Sequence, residues 1–203
     1  VAPFQKVVWV DGVFNHEGMN DDMNPTLDIL HMAFVYSTAN GFHTADAELE
    51  RVEFRTCTSE GTCDATSLPT VSITRDLARC PSHFLNQLEA TMAELDPDVV
   101  VTHGGDGLHF PALMRLARVS GVSLSLSRDG RPLAARTSAR TLHSYGQTLH
   151  KDGYIPLYGR LHIDRVGSFI VREGGLQGLF ELARHSQQSP QDISRLSPGS
   201  VIS

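Results

Sequence analysis

The chain has 203 residues, which suits one globular domain with at most a short appendage. Hydrophobic residues make up 40% and charged residues 20%, the balance of an ordinary folded protein, and no apolar run approaches the ~20 residues of a membrane-spanning helix. The formal net charge of −6 argues against a dedicated binder of duplex DNA, which is usually basic, so any contact with nucleic acid is local.

In chain order, "KVVWVDGVF" (6–14) reads as a buried strand, a short apolar run with one acid in it. "NHEGMNDDMNP" (15–25) is a loop closed by proline. "LDILHMAFVYST" (27–38) is a second strand, and a third falls around Glu50 to Arg55. After the loop "EGTCDATSLPT" the period changes. Phe84, Leu85, Leu88, Met92 and Leu95 share one face of a helix over 82–95, with Ser82 as the expected N-cap. "DPDVVVT" gives a strand, and "FPALMRLARVSG" (110–121) a helix that starts at Pro111 and stops at Gly121. "RDGR" is a turn, and "ARTSARTLHSYGQTLHKDG" has no clean period and reads as a long loop. "YGRLHIDRV" is a strand, "GLQGLFELARHSQ" (175–187) a helix, and "SPQDIS" the start of another. An antiparallel meander followed by alternating strands and helices implies an α/β (α+β) fold, a mixed sheet flanked by helices.

The cysteines, Cys57, Cys63 and Cys80, are odd in number and fit no zinc-finger spacing even with His83 as a fourth ligand; free thiols are expected. The ten histidines show no metal-binding spacing. No secretory signal is visible in "VAPFQKVVWVDGVF", and the sequence reading is a cytoplasmic protein with no membrane partner.

The richest stretch is "DPDVVVTHGGDGLHFPALMRLA" (96–117), a strand, a glycine-rich turn and a helix. It resembles the second exonuclease motif of family B DNA polymerases, in which Asp-Pro-Asp and an apolar strand lead into Asn-Gly-Asp-Asn-Phe-Asp-Phe-Pro. Gly105, Asp106, Phe110 and Pro111 match that pattern, Gly104 stands at the Asn, and His109 stands at the metal-binding Asp. "KVVWVDGVF" falls where the first motif, Asp-x-Glu, belongs: Asp11 matches the Asp and Val13 replaces the Glu. "GRLHIDRVGSF" resembles the family's Gly-Arg-x-His-x-Asp strand, and "FELARHSQQSPQDISRLSPGSVIS" the helix and Ser-Arg turn that lead toward the palm. The third motif, Tyr-x-x-x-Asp, has no counterpart in "VGSFIVREGGLQGL".

This resemblance implies a ribonuclease H-like fold, with residues 1–203 forming one exonuclease-like domain of a longer polymerase and 186–203 starting the connection toward the palm. The family's 3′-5′ exonuclease holds two divalent ions on carboxylates. Asp11, Val13, Asp106 and His109 are then vestigial positions, no metal or cofactor is expected, and the domain is read as catalytically inactive. Its role would be structural or that of a single-stranded or primer-template DNA contact, through Gly104, Gly105, Phe110, Arg160 and Arg165, beside the remaining polymerase domains. Two alternatives stand: an active nuclease with a rebuilt Mg or Mn site using Asp11, Asp106 and His109 with Asp164 or other acids, and a stand-alone interaction module in DNA replication or repair. On the residues alone, Asp106 caps its turn and His109 bonds a backbone carbonyl.

Overall fold

A computed structural model describes residues 28–37, 48–58, 70–75, 80–137, 140–144, 147–151 and 153–196. The strand expected at 6–14, with Asp11 and Val13, lies outside them. Seven strands are described: β1 (Asp28–Ser37), β2 (Glu48–Thr58), β3 (Thr70–Thr74), β4 (Val99–Thr102), β5 (Arg140–Ser144), β6 (Gln147–Lys151) and β7 (Leu161–Asp164). The helices are α1 (Pro81–Leu95), α2 (Phe110–Ser120), α3 (Phe169–Ser186) and α4 (Pro190–Ile193), and a single π-helical turn over Gly105–His109 feeds directly into α2.

Among the described residues the main sheet has five strands in the order β3-β2-β1-β4-β7. The meander of the first three is antiparallel, and β1, β4 and β7 run parallel, with Ile29 opposite Val99 and Val99 opposite Leu161. This is the mixed sheet expected of a ribonuclease H-like fold, an α/β architecture with helices on both faces.

Strand alternation sorts the apolar residues into two layers. Leu30, Met32, Val52, Phe54, Ile73 and Val100 face α1 and α2, where they meet Phe84, Leu85, Leu88, Met92, Phe110 and Leu113. Ile29, Val99, Val101, Leu161 and Ile163 face the other way, onto Ile170, Val171, Leu179 and Ala183 of α3 and Ile193 of α4. β4 is buried along its whole length because both its faces are covered, which is why it reads as unbroken valine.

Several boundaries differ from the sequence reading. Helix α1 is capped at Cys80 with Pro81 in the first turn, and Ser82 lies inside that turn with its hydroxyl 2.9 Å from the Cys80 thiol. Cys80 is a free thiol. β3 lies at the end of what reads as a loop, since five residues give too short an alternation to stand out. The supposed long loop near 140–151 holds a two-stranded hairpin, β5 with β6, Arg140 opposite Lys151, separate from the main sheet. Helix α3 starts at Phe169 rather than 175, capped by the Ser168 hydroxyl on the Val171 amide, and kinks at Gly175, whose φ of 66° no ordinary helical residue adopts. Among the described residues no helix is long and apolar enough to cross a membrane.

Candidate functional site

The glycine-rich turn sits at the C-terminal ends of β4 and β7, the edge of a parallel sheet where ligands usually bind. Gly104 has φ of 87°, in the left-handed region. That bend aims the Gly104 and Asp106 amides at Asp164, whose two carboxylate oxygens accept them at 2.8 Å each. The Val166 amide adds a third bond at 3.2 Å. Asp164 is therefore a buried anchor for the turn, its charge met by backbone N–H groups.

Gly105 has no room for a side chain. A Cβ there would collide with the Thr102 hydroxyl and stand 2.9 Å from Nε2 of His162. Those two groups already hydrogen bond to each other at 2.8 Å. The His162 ring is fully buried, touches Phe110 at 4.5 Å between centroids, and has Nδ1 2.8 Å from the Ile155 carbonyl. Burial first, and then the positive charge of Arg195, push its pKa far below the usual histidine range, so the ring is neutral.

Asp106 is only 6% exposed. One carboxylate oxygen accepts the Ile155 amide at 2.9 Å, the other Nε–H of Arg195 at 2.8 Å. Arg195 also donates to the carbonyls of His162 at 2.9 Å and Gln191 at 2.6 Å, and its guanidinium lies over the Tyr154 ring at 4.2 Å. The Tyr154 hydroxyl donates to Asp192 at 2.7 Å. The Gln191 side chain completes the cluster, accepting the amides of Leu157 at 3.0 Å and His162 at 2.7 Å. The segment that follows α3 is thus fastened to the turn and to β7 by a continuous polar network.

Among the described residues, His109 packs on an aromatic ring. Its ring stacks on Phe34 of β1, with centroids 4.2 Å apart and planes within 9°, and Nε2 donates to the His103 carbonyl at 3.0 Å. Burial lowers its pKa, against the smaller upward pull of that hydrogen bond and of Asp164, so it too is neutral near pH 7.

The turn thus brings together Gly104, Gly105, Asp106, His109 and Phe110, and β7 adds Asp164. Two expected nucleic-acid contacts are placed inside instead: Phe110 is fully buried in the core, and Arg160 is 4% exposed. Arg160 stands at the opposite end of β7, where its guanidinium reaches the Met92 carbonyl and the Asp96 carboxylate, both at 3.4 Å, and it serves the C-terminus of α1. Arg128 joins it there, 2.6 Å from Asp96 and 2.9 Å from Asp98. Arg165, by contrast, is exposed just past β7. The sequence reading missed Arg195, Tyr154, Gln191 and His162. Arg195 lay in a recognised Ser-Arg turn, but nothing in sequence links it to a residue 89 positions earlier.

The described residues do not fit a pair of divalent ions. Mg²⁺ wants free oxygen ligands in octahedral array, whereas both oxygens of Asp106 and of Asp164 are already engaged, and neutral His109 faces an aromatic ring. Among the described residues, no group of three or more His, Cys, Asp or Glu side chains could hold a metal.

No family model matches the chain. It is 31% identical over 81 residues to "DNA polymerase 1" of Pyrococcus abyssi, a match that covers 40% of this chain and 9% of that protein. The figures for the "DNA polymerase" of Pyrococcus horikoshii are 31% over 81 residues, 40% and 6%. The matched stretch is therefore less than a tenth of the curated relatives' length. The solved family B DNA polymerase of Pyrobaculum calidifontis aligns at TM-score 0.49 and 19% identity, over 86% of this chain and 20% of that one. In sequence, then, the chain is similar over 81 residues to DNA polymerases of two Pyrococcus archaea.

Proposed function

We propose that this chain is the exonuclease-like domain of a family B DNA polymerase in which the 3′-5′ exonuclease has been lost and the fold kept. The observation that carries this is the fate of the second-motif carboxylate position. His109 stacks on Phe34 and bonds a backbone carbonyl, while Asp106 and Asp164 are locked into Arg195 and into backbone amides. A metal-dependent nuclease needs carboxylates with lone pairs to spare; here they build the turn.

The domain's remaining work is structural. It carries the chain, through Arg195, toward the polymerase domains expected to follow, and it offers the exposed Arg165 beside the Gly104–Gly105 turn to the phosphates of a single strand. No resident metal or cofactor belongs to this reading.

The test is a 3′-labelled and a 5′-labelled single-stranded oligonucleotide incubated with wild type and with Asp11→Ala, each with Mg²⁺ and with Mn²⁺. The expected outcome is no shortening from the 3′ end that depends on Asp11. Stepwise 3′ shortening abolished by Asp11→Ala would overturn the reading. Binding is scored separately by anisotropy: a weak complex whose affinity falls as salt rises is expected, reduced in Arg165→Gln.

A further inference from the structure

On the far side of the same turn lies a cleft of about 420 Å³, within the size range of small-ligand sites, ~300–1,000 Å³. Its apolar lining includes Pro111 and Met114 of α2 and Ile155 of the segment that follows the hairpin. Arg115 and Arg118, one helical turn apart, line it as well. Both are exposed, and neither has an ion pair or hydrogen bond among the described residues. Like charges at this spacing repel by a few tenths of a kcal/mol, in a chain whose net charge is −6. Asp106 also borders the cleft, but its carboxylate is already engaged by Ile155 and Arg195 and does not cancel the two arginines.

We propose that this cleft binds a nucleoside monophosphate group. Pro111, Met114 and Ile155 offer apolar surface on which a base can rest, and the Arg115 and Arg118 guanidiniums, with no partner among the described residues, present forked donors that match a phosphate. Gly107 and Gly153 leave the flanking backbone bare for close approach. A site of this kind takes either a free nucleotide or the terminal nucleotide of a strand, since both present the same base and phosphate. The inference does not rest on the lost-exonuclease reading. It uses α2 and the 153–155 segment rather than Asp11 or His109, so either conclusion can fail alone.

The experiment is calorimetric titration of the 203-residue chain with thymidine 5′-monophosphate, thymidine, inorganic phosphate and a 5′-phosphorylated oligothymidine. Saturable binding of the monophosphate is expected, tighter than that of thymidine or of phosphate alone. In Arg115→Gln/Arg118→Gln the affinity should fall by about tenfold or more, as loss of two charged hydrogen-bonding groups requires. The oligonucleotide arm separates the sources: equal or better binding than the free nucleotide marks a strand end, weaker binding a free nucleotide. No saturable binding of either ligand, or binding unchanged in the double variant, sinks the proposal. A readout independent of the variant's folding is the Met114 methyl resonance of wild type, which should shift with monophosphate while that of Met92, on the buried face of α1, stays still. A stationary Met114 signal at saturating ligand would also sink it.

Discussion

Asp106 and Arg195 form a nearly buried ion pair, 2.8 Å between Oδ2 and Nε, that closes 89 residues of chain. The other donors of Arg195 reach the His162 and Gln191 carbonyls, so its removal strands one buried carboxylate oxygen and takes a charged donor from two carbonyls. Breaking a buried pair from one side costs about 3–5 kcal/mol. Arg195→Met is therefore expected to lower unfolding stability by roughly 3 kcal/mol in urea titration. Asp106→Asn, which keeps an acceptor for the Ile155 amide, should cost less. The double variant should cost clearly less than the two losses added together. Strict additivity would mean that the pair contributes nothing as a pair.

Gly105 offers a second test because its reason is steric rather than conformational. A Cβ would drive into Thr102 and His162, both buried and bonded to each other. Gly105→Ala should destabilise by about 1–3 kcal/mol, the usual cost of overpacking a rigid site. Gly105→Ala with Thr102→Ser removes only a methyl and should recover little. At Gly121 a Cβ would meet nothing within 4 Å, but φ is 65°, so alanine should cost only the smaller left-handed penalty of ~1 kcal/mol. Equal losses at the two glycines, measured by chemical denaturation, would refute this distinction.

How far the sequence carried is best seen in particular elements. Helices α1, α2 and α4 and strands β1, β2 and β4 were legible because burial imposes a period on them: Leu85, Leu88 and Met92 on one face, or three valines where both faces are covered. The hairpin β5–β6 was not, because five-residue strands outside the main sheet carry no long alternation. The N-cap shifted from Ser82 to Cys80 because Pro81 is tolerated only in the first turn and so fixes the start. At the site, the motif reading took Gly104, Gly105, Asp106, His109 and Phe110 together, and their contiguity puts them in one turn. It misjudged Arg160 because a basic residue beside a strand end reads as a phosphate ligand, whereas β7 enters the sheet directly beneath the C-terminus of α1, whose carbonyls need a donor. The partners Tyr154, Gln191 and Arg195 come from segments far from the turn, and only the folded arrangement joins them to it.

Two neutral histidines make stability depend on pH with a definite sign. His162 and His109 both have folded pKa values below the ordinary histidine value of 6.5. Below that pH the unfolded chain binds protons that the folded chain refuses, so stability is full above about pH 6.5 and falls as pH drops beneath it. The limiting slope is about 1.4 kcal/mol per pH unit for each histidine held neutral. Urea midpoints measured from about pH 7.5 to 4.5 should decline throughout the lower part of that range. His162→Gln should have lower stability at the top of the range but a shallower decline. A wild-type profile flat from about pH 7 to 5 would show that His162 is not held neutral by its burial.

The last prediction separates a lost metal site from one that merely lacks a ligand. If the residues at 13 and 109 alone stood between this domain and metal binding, His109→Asp with Val13→Glu would restore it. The surroundings say otherwise. An aspartate at 109 would lose the Phe34 stack and face an aromatic ring, while Asp106 and Asp164 would stay bound to Arg195 and to the turn amides. The double variant is therefore expected to be less stable than wild type by about 1 kcal/mol, the worth of an aromatic pair. Mg²⁺ or Mn²⁺ should not rescue it. A true site with its ion at about a hundred times the dissociation constant would add ~2.7 kcal/mol, which a thermal-unfolding titration with each ion detects easily. A clear metal-dependent rise in melting temperature, seen in the double variant and absent in wild type, would mean that the carboxylates of this turn can still be released to a cation.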